Sequence, residues 1–340
     1  MKQLGLLDWE NRYARIDKGG DPLVKLSRVI DWEGFRPVLM RVREKERKSN
    51  SGAKPYDVVL MFKALIIQSL YNLSDDELEY QILDRLTFMR FLGLGPGERV
   101  PDAKTIWLFR EHLKEAGLVE ELFRMFDRHL QSSGFTARNG QIVDANIVSV
   151  PKQRNTREEN ALIKEGALSR RTGMSPSADR RAPAASRWLK KNGKNYYGYK
   201  NHINVDVKHK LIRVYAVTDA SVHDSQVFGD LLHEDNSSRD VYADSAYRSE
   251  ESLEMLGGQG YREHLQRKGY RNPKLTNWEK RGNHTRSKVR SRIEHVFGVQ
   301  AMMAGDLLLR TIGIARAWVK IGLRNLSYNM FRFQALAVQR

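Results

Sequence analysis

Three carboxylates stand in surroundings that ordinary surface placement does not explain. QIVDANIVSVP, from Gln141 to Pro151, reads as a strand with a near-continuous apolar run, Ile142, Val143, Ile147, Val148 and Val150, interrupted by Asp144. Runs of that kind belong to central strands covered on both faces. An ionised carboxylate there is costly unless it pairs, hydrogen-bonds or coordinates a cation. Asp244, in VYADSAYRS, closes another strand beside the small residues Ala243, Ser245 and Ala246, which leave room for a substrate backbone. Glu294, in KVRSRIEHVFGVQ, adjoins a helical apolar face made by Val289, Ile293, Val296 and Phe297. The chain has no cysteine, so three such acids suit a hard cation held by oxygen, Mg2+ or Mn2+. Two such ions ~4 Å apart activate a hydroxyl nucleophile and stabilise the leaving oxygen of a phosphodiester. The plainer reading pairs each acid with one of the many Arg or Lys residues.

Those residues are in excess. Against 41 Asp+Glu stand 58 Lys+Arg, a formal net charge of +17 over 340 residues. A polyanionic partner follows, nucleic acid before others, with solubility through net charge as the bland alternative. Two stretches concentrate the charge. Residues 152–194 hold twelve Lys+Arg and four Asp+Glu, in a segment too long for a simple connection; it reads as a basic arm that follows a phosphate backbone or as a solvated insertion. Residues 262–292 hold eleven Lys+Arg and two Asp+Glu and lead into the Glu294 helix. Within them Trp278 is the tryptophan best placed to stack on a base. The absence of cysteine excludes disulfides, thiol nucleophiles and Cys-ligated zinc, and fits a reducing compartment. MKQLGLLDWENRYARID lacks the apolar core of a signal peptide, and VVLMFKALII is cut by Lys63 and too short to span a bilayer. The expectation is a cytoplasmic protein that does not engage membranes.

The elements that must position these groups fall into two kinds. Residues 1–135 read as helical. Pro55 suits a first turn before YDVVLMFKALIIQSLYNL, Ser74 with Glu77 forms a capping-box pattern before LEYQILDRLTFMRFLGL, and Asp102 can cap TIWLFREHLKEAGL, which Gly117 ends. VEELFRMFDRHLQSSG makes a further helix. After Gly134 the pattern changes to strands: QIVDANIVSV, then KNYYGYKNHINVDV, then LIRVYAVTDA as its antiparallel neighbour across Lys208 to Lys210. A helix-like DSQVFGDLLHE precedes the strand RDVYADSAYRS, with more helix beyond. A mixed α/β sheet follows.

In combination these motifs resemble a DDE transposase of a bacterial insertion sequence, of the IS-five family. The resemblance runs from about Tyr56 to Leu336 and is carried by DDELEYQILDRLTFMRFLGL, VPDAKTIWLFR, IVDANIV, YYGYKNHINVD, VTDASVHDSQ, VYADSAYRS, RSRIEHVFG and the closing IGIARAWVKIGLRNLSYNMFRF. It implies an all-α N-terminal DNA-binding or dimerisation domain, 1–135, ahead of a ribonuclease H-like mixed sheet with flanking helices, 136–340, holding the insertion at 152–194 and a C-terminal helix at about 311–337. It implies Asp144, Asp244 and Glu294 as the catalytic, metal-binding trio with two Mg2+ or Mn2+ ions. Its partners would be terminal inverted repeats and target DNA, gripped by a homodimer or larger assembly, with the protein nucleoid-associated when bound. Lys200, His202, Arg248, Arg286, Arg290 and Arg292 are the DNA-contact candidates; for His202 a hydrogen-bonded structural role stays open, and Asp224 can equally cap a helix. Two positions depart from the family pattern, Ser287 where a tyrosine is usual and Ala301 where a lysine is usual. A catalytically silent, transposase-derived DNA-binding protein and a metal-dependent nuclease that never joins ends are the competing readings.

Overall fold

Helix caps decide where the first half of the chain turns. The computed structural model describes residues 8–44, 54–95, 97–151, 187–191, 194–269, 274–304, 308–311 and 313–338. Its helical half comprises α1 (Asp8–Lys18), α2 (Pro22–Val29), α3 (Arg36–Met40), α4 (Val58–Tyr71), α5 (Asp75–Asp84), α6 (Leu86–Leu92), α7 (Ala103–Glu115) and α8 (Leu118–Ser132). Asp57 caps α4 by accepting from the N–H groups of Val59 and Leu60, so Pro55 lies ahead of the helix rather than in its first turn. The capping box forms as expected: Ser74 accepts from the Glu77 N–H while the Glu77 carboxylate takes the Ser74 N–H at 2.7 Å. Asp102 caps α7 through the Thr105 N–H. The single helix expected across LEYQILDRLTFMRFLGL breaks at Arg85, whose φ of −105° and ψ of 113° are extended. Lys63, which interrupts the apolar run of α4, lays its ammonium over the rings of Trp32 and Phe91 at 5.4 and 5.5 Å. Arg110 forks onto Asp75 at 2.6 and 2.7 Å, joining α7 to α5. No single helix among the described residues is long and apolar enough to cross a membrane.

The second half is built on a six-stranded sheet: β1 (Gln141–Ser149), β2 (Arg187–Lys191), β3 (Lys194–Asp206), β4 (Ile212–Asp219), β5 (Asp240–Ala243) and β6 (Arg262–Leu265). β1 is central, antiparallel to β3 on one side and parallel to β5 on the other. β4 continues the antiparallel side on β3, and β6 continues the parallel side on β5. This is the expected ribonuclease H-like mixed sheet. Two strands were not legible in the sequence: β6, in the charged REHL, and β2, which pairs with the start of β3 inside the stretch read as an insertion. The rest of that insertion, 152–186 and 192–193, lies outside the described residues. Four helices follow or intervene, α9 (Glu250–Gly258), α10 (Asn277–Arg290), α11 (Arg292–Ala304) and α12 (Ile314–Ala337). DSQVFGDLLHE forms two short 3-10 turns, Asp224–Val227 and Gly229–Leu231, in place of a helix.

Strand alternation gives the sheet two distinct faces. One carries Val143, Val241 and Ala243 and packs on Phe228, Leu231, Tyr247, Leu256 and Leu265 from the 3-10 turns, α9 and β6. The other carries Ile142, Asp144 and Asn146, opposite Val205, Ile203 and Asn201 of β3. α11 packs on this face, burying Ile293 and Val296, and Asn325 of α12 exchanges two amide hydrogen bonds with Asn201. At the end of β3–β4, Arg213 is buried among Asp206, Asp127 and the Phe135 carbonyl, bonding all three.

Cα packing divides the chain into two compact units, Met1–Met125 with Leu326–Arg340, and Phe126–Asn325. By this measure the boundary between the units falls within α8, and the last part of α12 is grouped with the helical unit.

At Gly198 the β3 backbone passes close to β1. Its φ is +157°, and a Cβ there would lie 2.1 Å from the Val148 carbonyl oxygen on β1. Gly198→Ala is expected to cost about 3 kcal/mol through this clash. Urea unfolding would show it as a lowered midpoint at unchanged slope.

Candidate active site

The two aspartates meet because of strand register. The last parallel pair between β1 and β5 is Ile142 with Tyr242. Two residues further along each strand stand Asp144 and Asp244, both on the face that carries Ile142 and Tyr242, on neighbouring strands ~4.8 Å apart. This is the carboxyl end of parallel strands, where sheets of this class place ligands. Each aspartate is locally held. Asp244 caps the 3-10 turn Ser245–Tyr247, its Oδ1 accepting from the Ala246 N–H at 2.8 Å. Asp144 Oδ1 accepts from the Ala145 N–H at 2.8 Å, and its Oδ2 takes Nη1 of Arg290 at 2.6 Å. Glu294 follows in the first turn of α11, exposed, just beyond the break at Ser291 that separates α10 from α11. That break is a departure from the single helix expected through KVRSRIEHVFGVQ.

The electrostatics show what the cluster lacks. The Asp144 side chain is 14% exposed. Burial pushes its pKa up to about 6; Arg290 and the Ala145 N–H pull the other way, and the charges of Asp244 and Glu294 add to the rise. A buried acid raised by two further acids is an anionic site that a hard cation would relieve, so the donors fit Mg2+ or Mn2+ by type. As placed, no three His, Asp or Glu side chains among the described residues converge on one point, and the Arg290 guanidinium stands where positive charge is needed.

The DNA-contact candidates divide. Lys200 and His202 do not belong to this cluster: Ala145 is paired with His202 and Ile147 with Lys200, so alternation turns both away from the Asp144 face. Lys200 is buried and donates to the Val222 carbonyl at 2.6 Å and to Asp224 at 2.8 Å. His202 is wholly buried, its Nε2 2.8 Å from Thr218 Oγ1. Burial holds its pKa down to about 4, against the nearby Asp224 carboxylate. The structural alternative for His202 is the one this geometry fits. Arg248 pairs with Glu263 at 3.1 Å, and Arg292, exposed, reaches the Val207 carbonyl at 3.1 Å. Arg286 lies half-exposed on α10, a helix with no buried residue. Trp278, on the same helix, is 69% exposed with the Arg267 guanidinium 5.4 Å from its ring centroid. Of the two atypical positions, Ser287 accepts a hydrogen bond from Gln266 at 2.6 Å, and Ala301 is exposed.

Of two further residues, Asp224 is the helix-cap candidate of the sequence, and Tyr247 carried little signal there. Asp224 does not cap its turn; His223 does, and Asp224 holds Lys200 instead. Tyr247, three residues after Asp244, is fully buried with a hydroxyl that has no partner among the described residues. Its pKa is raised well above the usual range, first by burial and then by the charges of Asp224, Asp144 and Asp244. The DSAY turn placed it there, and only its burial distinguishes it from an ordinary tyrosine.

Comparison with known proteins adds the following. Residues 10–112 match the family described as Transposase domain (DUF772), and residues 136–330 match the Transposase DDE domain family. Among solved structures the chain is similar to piggyBac transposase in a synaptic complex with hairpin DNA. Identity is 11%, with 94% of this chain and 76% of that chain covered and a TM-score of 0.48.

The raised pKa of Asp144 has a consequence for the metal-free protein. Its folded value of about 6 lies above the ordinary 3.8, so between these two the folded state binds the proton more tightly. Stability is therefore greatest below the lower value and falls as pH rises through that window. Asp144→Asn is expected to add about 3 kcal/mol of stability near pH 7.5 and only about 0.5 kcal/mol near pH 4. Urea unfolding in chelator at the two pH values measures this; an equal change at both would contradict the raised pKa.

Proposed function

The chain belongs to the Transposase DDE domain family, a family of DNA-cleaving and strand-transfer enzymes, and we propose that Asp144, Asp244 and Glu294 are the carboxylates that carry its chemistry. The observation behind this reading is the β1–β5 register, which sets Asp144 beside Asp244 on the face covered by Arg290 and the Glu294 helix. Chemically balanced, the first step adds water across a phosphodiester at the element's end: the P–O3′ bond breaks and leaves a 3′-hydroxyl and a 5′-phosphate. In the second step that hydroxyl attacks a target phosphorus, the target's own P–O3′ bond breaks, and the number of phosphodiester bonds is unchanged. Mg2+ or Mn2+, two ions at the three carboxylates, would supply nucleophile activation and leaving-oxygen stabilisation. Asp144 and Asp244 are held by backbone N–H groups, so their oxygens are oriented before any ligand arrives. Arg290 neutralises Asp144 in the meantime and, displaced from it, is placed to meet a backbone phosphate.

Several finer assignments belong to the same reading. The motif set resembles that of the IS-five group, and the chain is assigned there as part of this proposal. The DNA partners are the element's inverted repeats and a target site. Two ends must be brought together, which calls for a dimer or larger assembly, in a bacterial cytoplasm. The basic face of α10, from Lys280 to Arg290, is the surface that would track the phosphate backbone, with Arg286 on it. Lys200 and His202 drop out of that surface because they are internal.

The reading is tested with DNA carrying the element's own ends, in Mg2+ or Mn2+, wild type beside Asp244→Asn. Cleaved and joined products from wild type and a loss of at least about a thousandfold in the variant are expected, on the scale of removing a group needed for metal catalysis. Cleavage without joining would favour a nuclease, and binding with no cleavage in either protein would leave a DNA-binding relic.

A further inference from the structure

Among the described residues, three arginines that turn inward meet acids and Arg324 does not. Arg110 has Asp75, Arg213 has Asp127 and Asp206, and Arg290 has Asp144. Arg324, on α12, has no carboxylate partner among the described residues. One of its terminal nitrogens donates to the Gln300 carbonyl, while its Nε–H is buried with no acceptor. Burial alone draws its pKa down to about 10. An unmatched guanidinium is expensive to keep out of water, so its position calls for an anion that comes from outside the chain.

Its neighbours say which way that anion approaches. α12 contains no Asp or Glu from Ile314 to Ala337. Arg316 and Lys320 precede Arg324 by two turns and one turn on the same stripe of the helix. The residue after Arg324 is Asn325, locked to Asn201 of β3 by reciprocal amide bonds and to Gln300 by a third. Asn201 lies opposite Asn146, two residues from Asp144 and on the same sheet face. Gln300 is six residues after Glu294 on α11, about 9 Å along the helix. The helix is thus fixed next to Arg324 by an amide cluster on the carboxylate face, and the guanidinium is tied to the carbonyl of Gln300, one short helical span from Glu294.

We propose that Arg324, at the inner end of the Arg316–Lys320–Arg324 stripe, binds a backbone phosphate of the DNA strand that runs to the carboxylates. This rests on the reading of the chain as a DNA-cleaving and joining enzyme. A phosphodiester supplies the missing acceptor for Nε–H and can take a second bond from the same guanidinium edge. The Gln300 carbonyl holds one end of the guanidinium without competing for charge. The contact is sequence-independent, because a phosphate oxygen carries no base information.

The test uses the full chain and a labelled duplex of arbitrary sequence, with binding followed over a salt series and thermal unfolding measured beside it. Wild type is expected to bind with a steep negative slope of log affinity on log salt. Arg324→Gln should bind about tenfold more weakly at low salt with a slope shallower by about 0.9, the loss of one phosphate contact. Arg324→Lys should keep the wild-type slope. The unfolding midpoint of Arg324→Gln should match or exceed that of wild type, because an unmatched buried charge has been removed. A lowered midpoint with an unchanged slope assigns Arg324 a purely structural role and overturns the proposal, as does an unchanged slope and affinity. If wild type itself fails to bind the duplex, the DNA reading falls at that step, before the variant is compared.

Discussion

Placing an ionised carboxylate on a strand covered by both flanking layers obliges the fold to bring a cation to it, and much of the sheet half follows from that demand. Asp144 sits on the central strand β1, and Arg290 meets it from the last turn of α10. The pairing pins a mostly polar helix, with no buried residue of its own, to the sheet. The chain then breaks at Ser291, and α11 sets off with Ile293 and Val296 against β1 and Glu294 in its first turn. A continuous helix could not present Arg290 to Asp144 and also lay the apolar face of α11 on the sheet. The pairing is strong enough to hold the site together and weak enough to yield: even with Arg290 present, burial and two neighbouring acids keep Asp144 pushed up to about 6. A cation of higher charge density would relieve all three acids, which is the physical sense of leaving them incompletely neutralised.

The two faces of the sheet divide the polar work. On the carboxylate face Asp144 is charged and Asn201 reaches to Asn325 of α12. On the opposite face a second polar group is enclosed by apolar packing. There Thr218 gives its hydroxyl proton to the Asp219 carbonyl, so its oxygen accepts from His202 and fixes that ring as the Nε2–H tautomer. Lys200 neutralises Asp224 beside it. The GYKNH and VHDS motifs are therefore one internal network, brought together by the pairing of β3 with the turn after β4. Phe228 packs at a tilt against Tyr247, ring centroids 5.2 Å apart, and so connects that network to the turn that carries Asp244.

Local signals were read correctly where the interaction that decides an element is itself local. The Ser74–Glu77 box and the Asp102 cap are contacts across three residues, visible as residue types at fixed spacing. β1 declared itself by its apolar run, and β3 and β4 by alternation across a tight turn at Lys208 to Lys210. β6 did not, because Arg262, Glu263 and His264 form a strand only by pairing with β5 at the sheet's edge. Nor did the break at Arg85, where neither proline nor glycine marks the extended residue. Asp57 displaced Pro55 as the start of α4 because a carboxylate that satisfies two free N–H groups outweighs a ring that satisfies none.

By itself the sequence determined the chemistry available: three acids in unusual settings, no thiol, a large positive charge and strands arranged for a mixed sheet. It also determined the alternation that makes Asp144 and Asp244 candidates for one face, since side-chain direction along a strand has a period of two. What only the tertiary structure decided is which groups share a face and which cation answers which acid. The β1–β5 register put Asp144 beside Asp244, and the β1–β3 register turned Lys200 and His202 away from them. Both depend on pairings between residues far apart in the chain. Arg290 and Arg324 show the same limit, alike as sequence letters and opposite in circumstance, one matched by a carboxylate and one left without. Charge neutralisation is a property of three-dimensional neighbours, and no spacing rule within one segment encodes it.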